Sequence, residues 1–341
     1  SVTASDTATV AQATTIDAFA TAVIFAVSDT ATAIAASSNA ALDEATSVTA
    51  SDTATTAQAD TISAFATAVV YNVSGTAAEI VAASAAARNE AVNITITDGA
   101  TIAQATTAED ATNSGTVTVA TITDTAANIT ASTNAVITNS TGAVTASNTA
   151  TTAQADTISA LAKAVVYNVS GTAAEIVAAS AAARNEAVNI TITDGATIAQ
   201  ATTAEDATNS GTVTVATITD TAANITASTN AVITNSTGAV TASNAATVAQ
   251  ATTIDAFAKA VVFAVSDTAA AIAASSSDAL DEATSVTASD TATVAQSTTI
   301  DAFDTAVVFA VSDTAAAIAA SSSAALDEAT SVTASDTATT A

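Results

Sequence analysis

Histidine, cysteine, methionine, tryptophan and proline do not occur in this 341-residue chain. The first two absences exclude most familiar chemistry. There is no side chain that ordinarily titrates near neutrality, no thiol nucleophile, no disulfide, and none of the usual zinc, haem or iron–sulfur ligands. A Ser-His-Asp relay is impossible, and a Ser-Lys pair would rest on Lys163 or Lys259 alone. Those two lysines replace threonines such as Thr21 and Thr67 in other repeats and read as solvated surface substitutions. The chain is therefore expected not to be an enzyme. Aromatic residues make up only 3% against 50% hydrophobic, so most of the apolar content is alanine, which buries little surface per residue.

Positive charge is equally scarce: 4 Lys+Arg face 32 Asp+Glu, a formal net charge of −28. Nucleic-acid phosphates and anionic lipid surfaces repel such a chain, and Arg88, Lys163, Arg184 and Lys259 are too dispersed to form a basic patch. Divalent cations, polysaccharide and identical subunits are the expected partners. The longest apolar run, Ala18 to Val27, is interrupted by Thr21 and falls well short of the roughly 20 residues of a membrane helix, so no membrane insertion is expected. Residue 1 is a serine inside a repeat, which reads as a processed or excerpted chain.

What the chain has in abundance is repetition. An Asp, Asn or Gly marker follows a short β-like run at Asp6, Asp29, Asp52, Gly75, Asp98, Asp124, Asn148, Gly171, Asp194, Asp220, Asn244, Asp267, Asp290, Asp313 and Asp336. The spacing is about 23 residues, the size of one solenoid turn and too small to bury a core alone. Two unit types alternate. One carries Gln six residues after the marker, from Gln12 to Gln296, and the other carries Ile five residues after it, from Ile34 to Ile318. Segments 54–149 and 150–245 are near-identical four-repeat blocks, and the expectation is a single repeat solenoid spanning 1–341 with both ends uncapped.

Before each marker, apolar residues alternate with polar ones, which predicts a strand with one buried face. Four residues ahead stand Phe25, Tyr71, Ile94, Ala120, Tyr167, Ala216, Phe263 and Phe309. After the marker the period changes: Ala31, Ile34, Ala35, Ala41, Leu42 and Ala45 follow helical spacing, with Asp29 as the expected N-cap of one helix. The expected fold is α/β, a parallel strand–helix solenoid of about 15 turns of about 23 residues, with one continuous sheet along its length. A right-handed β-helix is the alternative, because Thr and Ser lower helix propensity.

The segments Asp124 to Ile129 and Asp220 to Ile225, with degenerate forms at Asp29 to Ile34, Asp267 to Ile272 and Asp313 to Ile318, resemble the "DTAANI" repeat arrays of large secreted bacterial surface proteins. That resemblance implies an extracellular or cell-surface location, an adhesive or structural role, and no catalytic residue.

The carboxylate pairs Asp43-Glu44, Asp281-Glu282 and Asp327-Glu328 are the metal candidates. Neighbouring helical positions point apart, so each pair is a poor chelate and reads as solvated helix-end charge. No cofactor is expected, with calcium entering only as a weak structural or bridging ion. The marker aspartates invite comparison with calcium solenoids, but the glycine-rich nonapeptide of those proteins is missing and N-capping accounts for Asp, Asn and Gly alike. The Gln column is expected to satisfy backbone groups at a turn.

The leading functional expectation is a structural protein forming a filament, sheath or surface layer by end-to-end stacking. The alternative is an adhesin stalk or an ice- or carbohydrate-binding module, with a carboxylate-only polysaccharide-cleaving enzyme more remote. An outward threonine column (Thr3, Thr49, Thr95, Thr145, Thr191, Thr241, Thr287, Thr333) is interrupted in alternate repeats by residues such as Ala26 and Asn72. The expected assembly residues are Val2, Ala4, Val332 and Ala334 at the ends, for head-to-tail contact. For lateral contact they are Ile24, Val70, Val119, Val166, Val215, Val262 and Val308, five residues before their markers and facing away from the core.

Overall fold

The computed structural model describes residues 2–209 and 211–338. The fold is α/β: parallel strands alternate with short helices along the whole described chain, and helices make the crossovers. Two compact units are present, 1–168 and 169–341. In the first, Val2–Thr3 pairs with Val23–Ile24, and a seven-stranded sheet runs from Val27–Asp29 to Val165–Val166. The second holds a five-stranded sheet from Val169–Gly171 to Val261–Val262 and a four-stranded sheet from Val265–Asp267 to Val332–Ala334. The expected single unbroken sheet is thus divided. Within the first unit the ladder breaks at Phe25-Ala26, and within the second at Phe263-Ala264. At both places the first half of a strand pairs with the preceding strand and the second half with the following one, and single bridges, Ala8 to Val27 and Ala246 to Val265, keep the second half bonded to the preceding repeat as well.

Strand pairing follows the alternation of the sequence but not its marker count. Val48 pairs with Val27 on one side and with Val69 on the other. Beyond Thr49↔Val70 the register shifts, and Thr53 pairs with Asn72. Ala50, Ser51 and Asp52 bulge there, bending the strand so that Asp52 reaches sideways. Equal distance from a marker is therefore not equal height in the sheet. The correction matters most at Val119 and Val215, which were expected to face outward. Both are fully buried, and Ala120 and Ala216, expected in the buried aromatic column, are only half-buried. One extra residue lies between Val119 and its marker Asp124 compared with Tyr71 and Gly75, so Val119 takes the inward place of the tyrosine, and Ile96↔Val119 is its cross-strand pair. Thr118 and Thr214 hold the outward place instead.

The two unit types differ after the strand. The Gln type carries one helix, such as Ile102–Glu109, whose Ala105 and Ala108 are buried. The Ile type was expected to carry one helix and carries two, as in Ala31–Ala35 and Asn39–Leu42. Serine ends the first: the Ser37 hydroxyl donates to the Ile34 carbonyl at 2.6 Å, and Ser132, Ser228, Ser275 and Ser321 repeat the bond. In the repeats without that serine the Arg88 and Arg184 guanidinium groups donate to the helix-end carbonyls, among them those of Ala83 and Ala179. Where Ala120 approaches the next repeat, Gly142 is required by space, since a Cβ there would sit 2.6 Å from the Ala120 carbonyl oxygen.

Phe25, Tyr71, Ile94, Tyr167, Phe263 and Phe309 are all buried between sheet and helices, as the alternation predicted. In a core otherwise built mainly of alanine, valine and isoleucine, the five aromatics among them are the largest fully buried side chains. Tyr71 also donates its hydroxyl to the Ala87 carbonyl at 2.8 Å, and burial holds its ionisation well above the ordinary tyrosine value. Phe263→Ala is expected to destabilise the second unit by about 3–5 kcal/mol, and Tyr71→Phe to cost about 1 kcal/mol for the lost hydrogen bond. Urea unfolding monitored by far-UV circular dichroism checks both.

Candidate functional site

Every helix of the fold begins with four backbone N–H groups that have no partner inside the helix. Two devices satisfy them here, one within a repeat and one between repeats. Within a Gln-type repeat, a threonine N-cap and the glutamine at N3 form a capping box. The Thr55 hydroxyl accepts from the Gln58 N–H at 3.3 Å, and the Gln58 side-chain carbonyl accepts from the Thr55 N–H at 2.8 Å. The same box recurs at Thr9, Thr101, Thr151, Thr197, Thr247 and Thr293. This is the Gln column's structural use. Its signal, Thr-x-x-Gln ahead of an apolar run, is plainly visible in the sequence.

The second device is the marker. Asp29 was expected to cap the helix that follows it, but Thr30 is that N-cap. The Asp29 carboxylate instead spans two repeats: Oδ1 accepts from the Thr30 N–H at 2.8 Å and Oδ2 accepts from the Val10 N–H, the first amide of the preceding repeat's helix, at 3.0 Å. Asp124, Asp220, Asp267 and Asp313 make the same pair of bonds. In the Gln-type repeats the bulge swings the marker toward the preceding helix, and a single oxygen does the work. Asp52 Oδ1 accepts from Ala31 N–H at 2.6 Å, with equivalents at Asp98, Asp194, Asp290 and Asp336.

This difference explains which substitutions the array contains. An asparagine has one acceptor oxygen, and Asn148 and Asn244 stand only where one is needed, accepting from Ala126 and Ala222. As a marker, glycine stands only in Ile-type repeats, at Gly75 and Gly171, and there a glutamate at N3 takes over one of the two bonds, that to the repeat's own N-cap amide. Glu79 accepts from the Thr76 N–H at 2.8 Å, as Asp29 does for Thr30, and Glu175 does so for Thr172. An aspartate at position 75 would crowd that carboxylate, since a Cβ on Gly75 would lie 3.2 Å from a Glu79 oxygen.

The electrostatics agree with the geometry. At Asp124 and Asp220 partial burial pulls the carboxyl upward, but hydrogen bonds from an asparagine side chain and two backbone amides outweigh it and hold the group below its ordinary value. Backbone and hydroxyl donation from Thr76 and Thr172 likewise lowers Glu79 and Glu175. Stability from depressed carboxyls is fully present above the unfolded value and is lost as pH falls through the folded one.

The paired carboxylates lie elsewhere. Asp43, Glu44, Asp281, Glu282, Asp327 and Glu328 are exposed at helix ends, with Asp43 and Asp281 each accepting from a threonine hydroxyl of a neighbouring repeat. Among the described residues no group of three or more acidic side chains is placed to hold a metal ion. Lys163 donates to the Ser140 carbonyl at 2.9 Å, an inter-repeat contact the sequence did not suggest. At the expected end contacts, Val2 and Val332 are exposed and Ala4 is half-buried, while Ala334 is exposed. Ile24, Val70, Val166, Val262 and Val308 are 45–51% exposed on the outer sheet face, as expected. No helix among the described residues is long and apolar enough to cross a membrane.

Asp267→Asn is expected to destabilise by about 1 kcal/mol more than Asp290→Asn, because only the first loses an acceptor in use; paired urea titrations measure the difference. Thermal midpoints of the full chain are expected to be flat above about pH 5 and to fall below about pH 4, the order set by carboxyls held low in the fold. A midpoint that rises on acidification, as relief of charge repulsion alone would give, contradicts the capping account. Comparison of the chain with protein-family models, with curated proteins and with solved structures finds no match.

Proposed function

We propose that this chain is an extracellular structural protein, a parallel strand–helix solenoid of about fifteen turns of about 23 residues that builds a filament, sheath or surface layer by stacking turn upon turn. The observation that supports this most directly is the marker ladder. Wherever the marker is Asp or Asn, the first helix of a repeat receives an acceptor for its first amide from the repeat that follows it, at 2.6–3.0 Å, so such a repeat is chemically prepared for another. Asp6 carries the same marker but lies exposed at the edge of a recess of about 520 Å³ lined by Ala4, Ala8, Gln12 and Ile16. A further turn of the same type fits that recess, its helix N-terminus meeting Asp6, whether it belongs to the same polypeptide or to another copy. Residues 331–339 repeat 1–9 without a difference.

The resemblance to "DTAANI" arrays and the net charge of −28 support a location outside the cell, and the lack of His and Cys supports a role without catalysis. Electron micrographs of the purified chain test the reading. Continuous threads are expected under assembly conditions, and Asp6→Ala is expected to shorten them; single particles at every concentration overturn it.

A second reading, a stalk bearing an ice- or carbohydrate-binding face, is favoured by one observation. In the true register Thr49 neighbours Ser28 and Val70, and Thr95 neighbours Ser74 and Thr118, so Ala26 and Asn72 do not interrupt this outward row. Thermal hysteresis at micromolar protein tests for ice.

A further inference from the structure

We propose that two copies of this chain pair face to face through their outer sheet surfaces, with the acidic helices turned away from each other. This goes beyond end-to-end stacking and does not depend on it. Parallel sheets normally have both faces covered, and here helices cover only one. On the other face Val70 is 49% and Val166 46% exposed, aligned across strands with Thr49 and Thr145. Isolated apolar residues on a surface need no explanation, but β-branched residues repeated along one flat face form a patch.

Charge selects the occupant. The acidic residues within these strands, Asp29, Asp52, Asp98 and Asp124, direct carboxylate oxygens to helix N-termini, and the outward positions between them are Ser, Thr, Asn, Val and Ala. A chain of net charge −28 thus has one broad face whose strand carboxylates are each set against a helix N-terminus that offsets their charge, and there an identical chain can approach. Opposed sheets lie about 10 Å apart and each helix layer is about 10 Å thick. The acidic surfaces are then about 30 Å from each other, several times the Debye length of about 8 Å at physiological salt. Helix-to-helix approach would instead press the acidic surfaces together.

The area suffices. The seven-stranded sheet of the first unit, with strands about 4.8 Å apart and averaging about five residues of about 3.3 Å in length, has an outer face of about 550 Å². Two such faces bury about 1,100 Å², above the roughly 1,000 Å² that a specific interface needs. The second unit repeats the face with Val262 and Val308.

Sedimentation equilibrium of the full chain tests the pairing. The unmodified protein is expected to dimerise, and more tightly in ~0.5 M salt than at low salt because screening relieves the residual repulsion. Val70→Asp with Val166→Asp, both at exposed positions, is expected to weaken the dimer about tenfold or more while far-UV circular dichroism stays unchanged. Ala103→Asp, on an exposed helix position, is expected to leave it unaltered. A monomer at both salt concentrations overturns the proposal irrespective of any variant. A dimer insensitive to the double substitution overturns it too, as does thermal hysteresis from a strictly monomeric protein, which would assign the face to ice. Axial threads that persist in the double variant separate this contact from end-to-end stacking.

Discussion

The hydrogen bond from the first amide of a repeat's leading helix to the Asp or Asn marker of the next repeat organises the rest of the structure. Short helices are poor stabilisers of themselves: forming the first turn is costly, and four to eight residues return few internal bonds. Helices such as Asn39–Leu42 and Ala31–Ala35 persist because their ends are tied to neighbours and their alanines and isoleucines are packed against the sheet. A carboxylate is the strongest acceptor available for that tie, and it also sets a negative charge at the positive end of the helix. This gives an acidic chain a use for many of its acids. The bulge at Ala50 to Asp52 follows from the same constraint, because an unbent strand would leave Asp52 pointing along the sheet rather than at Ala31.

Much of this was legible in the sequence. The period of about 23, the two unit types, the inward aromatics and the outward Ile24, Val70 and Val166 follow from alternation and spacing, since side-chain direction in a strand depends only on parity. What failed was parity across a bulge. Val119 and Val215 were placed on the wrong face by one inserted residue, and nothing in a string of Thr, Ala and Val marks where a strand bends. The N-cap was misplaced by one position for a similar reason. Asp and Thr are both good caps, and a local reading gives the role to the first of them, whereas the partner of Asp29 lies 19 residues away at Val10. The capping boxes, in contrast, were fully local and could have been read from Thr-x-x-Gln alone.

Substitutions across the array carry more information than the repeats that agree. Asn148 and Asn244 count acceptors, Gly75 and Gly171 mark where Glu79 and Glu175 have taken over, and Arg88 and Arg184 replace the serine that elsewhere closes the first helix. The Asn and Arg exchanges keep backbone groups satisfied rather than keeping the residue, whereas the Gly exchanges keep the bond to the repeat's own N-cap amide and give up the tie to the preceding helix.

The direction of the marker bond has a consequence for the order in which the chain folds. The acceptor for the Ala31 amide is Asp52, 21 residues downstream. On a ribosome adding about 5–20 residues per second, each helix therefore waits about one to four seconds for the residue that completes it. Until that marker is made, the growing end carries an unfinished helix. Structure advances with translation as a moving front one repeat deep, and the strand at that front stays open to a wrong neighbour until the next repeat arrives.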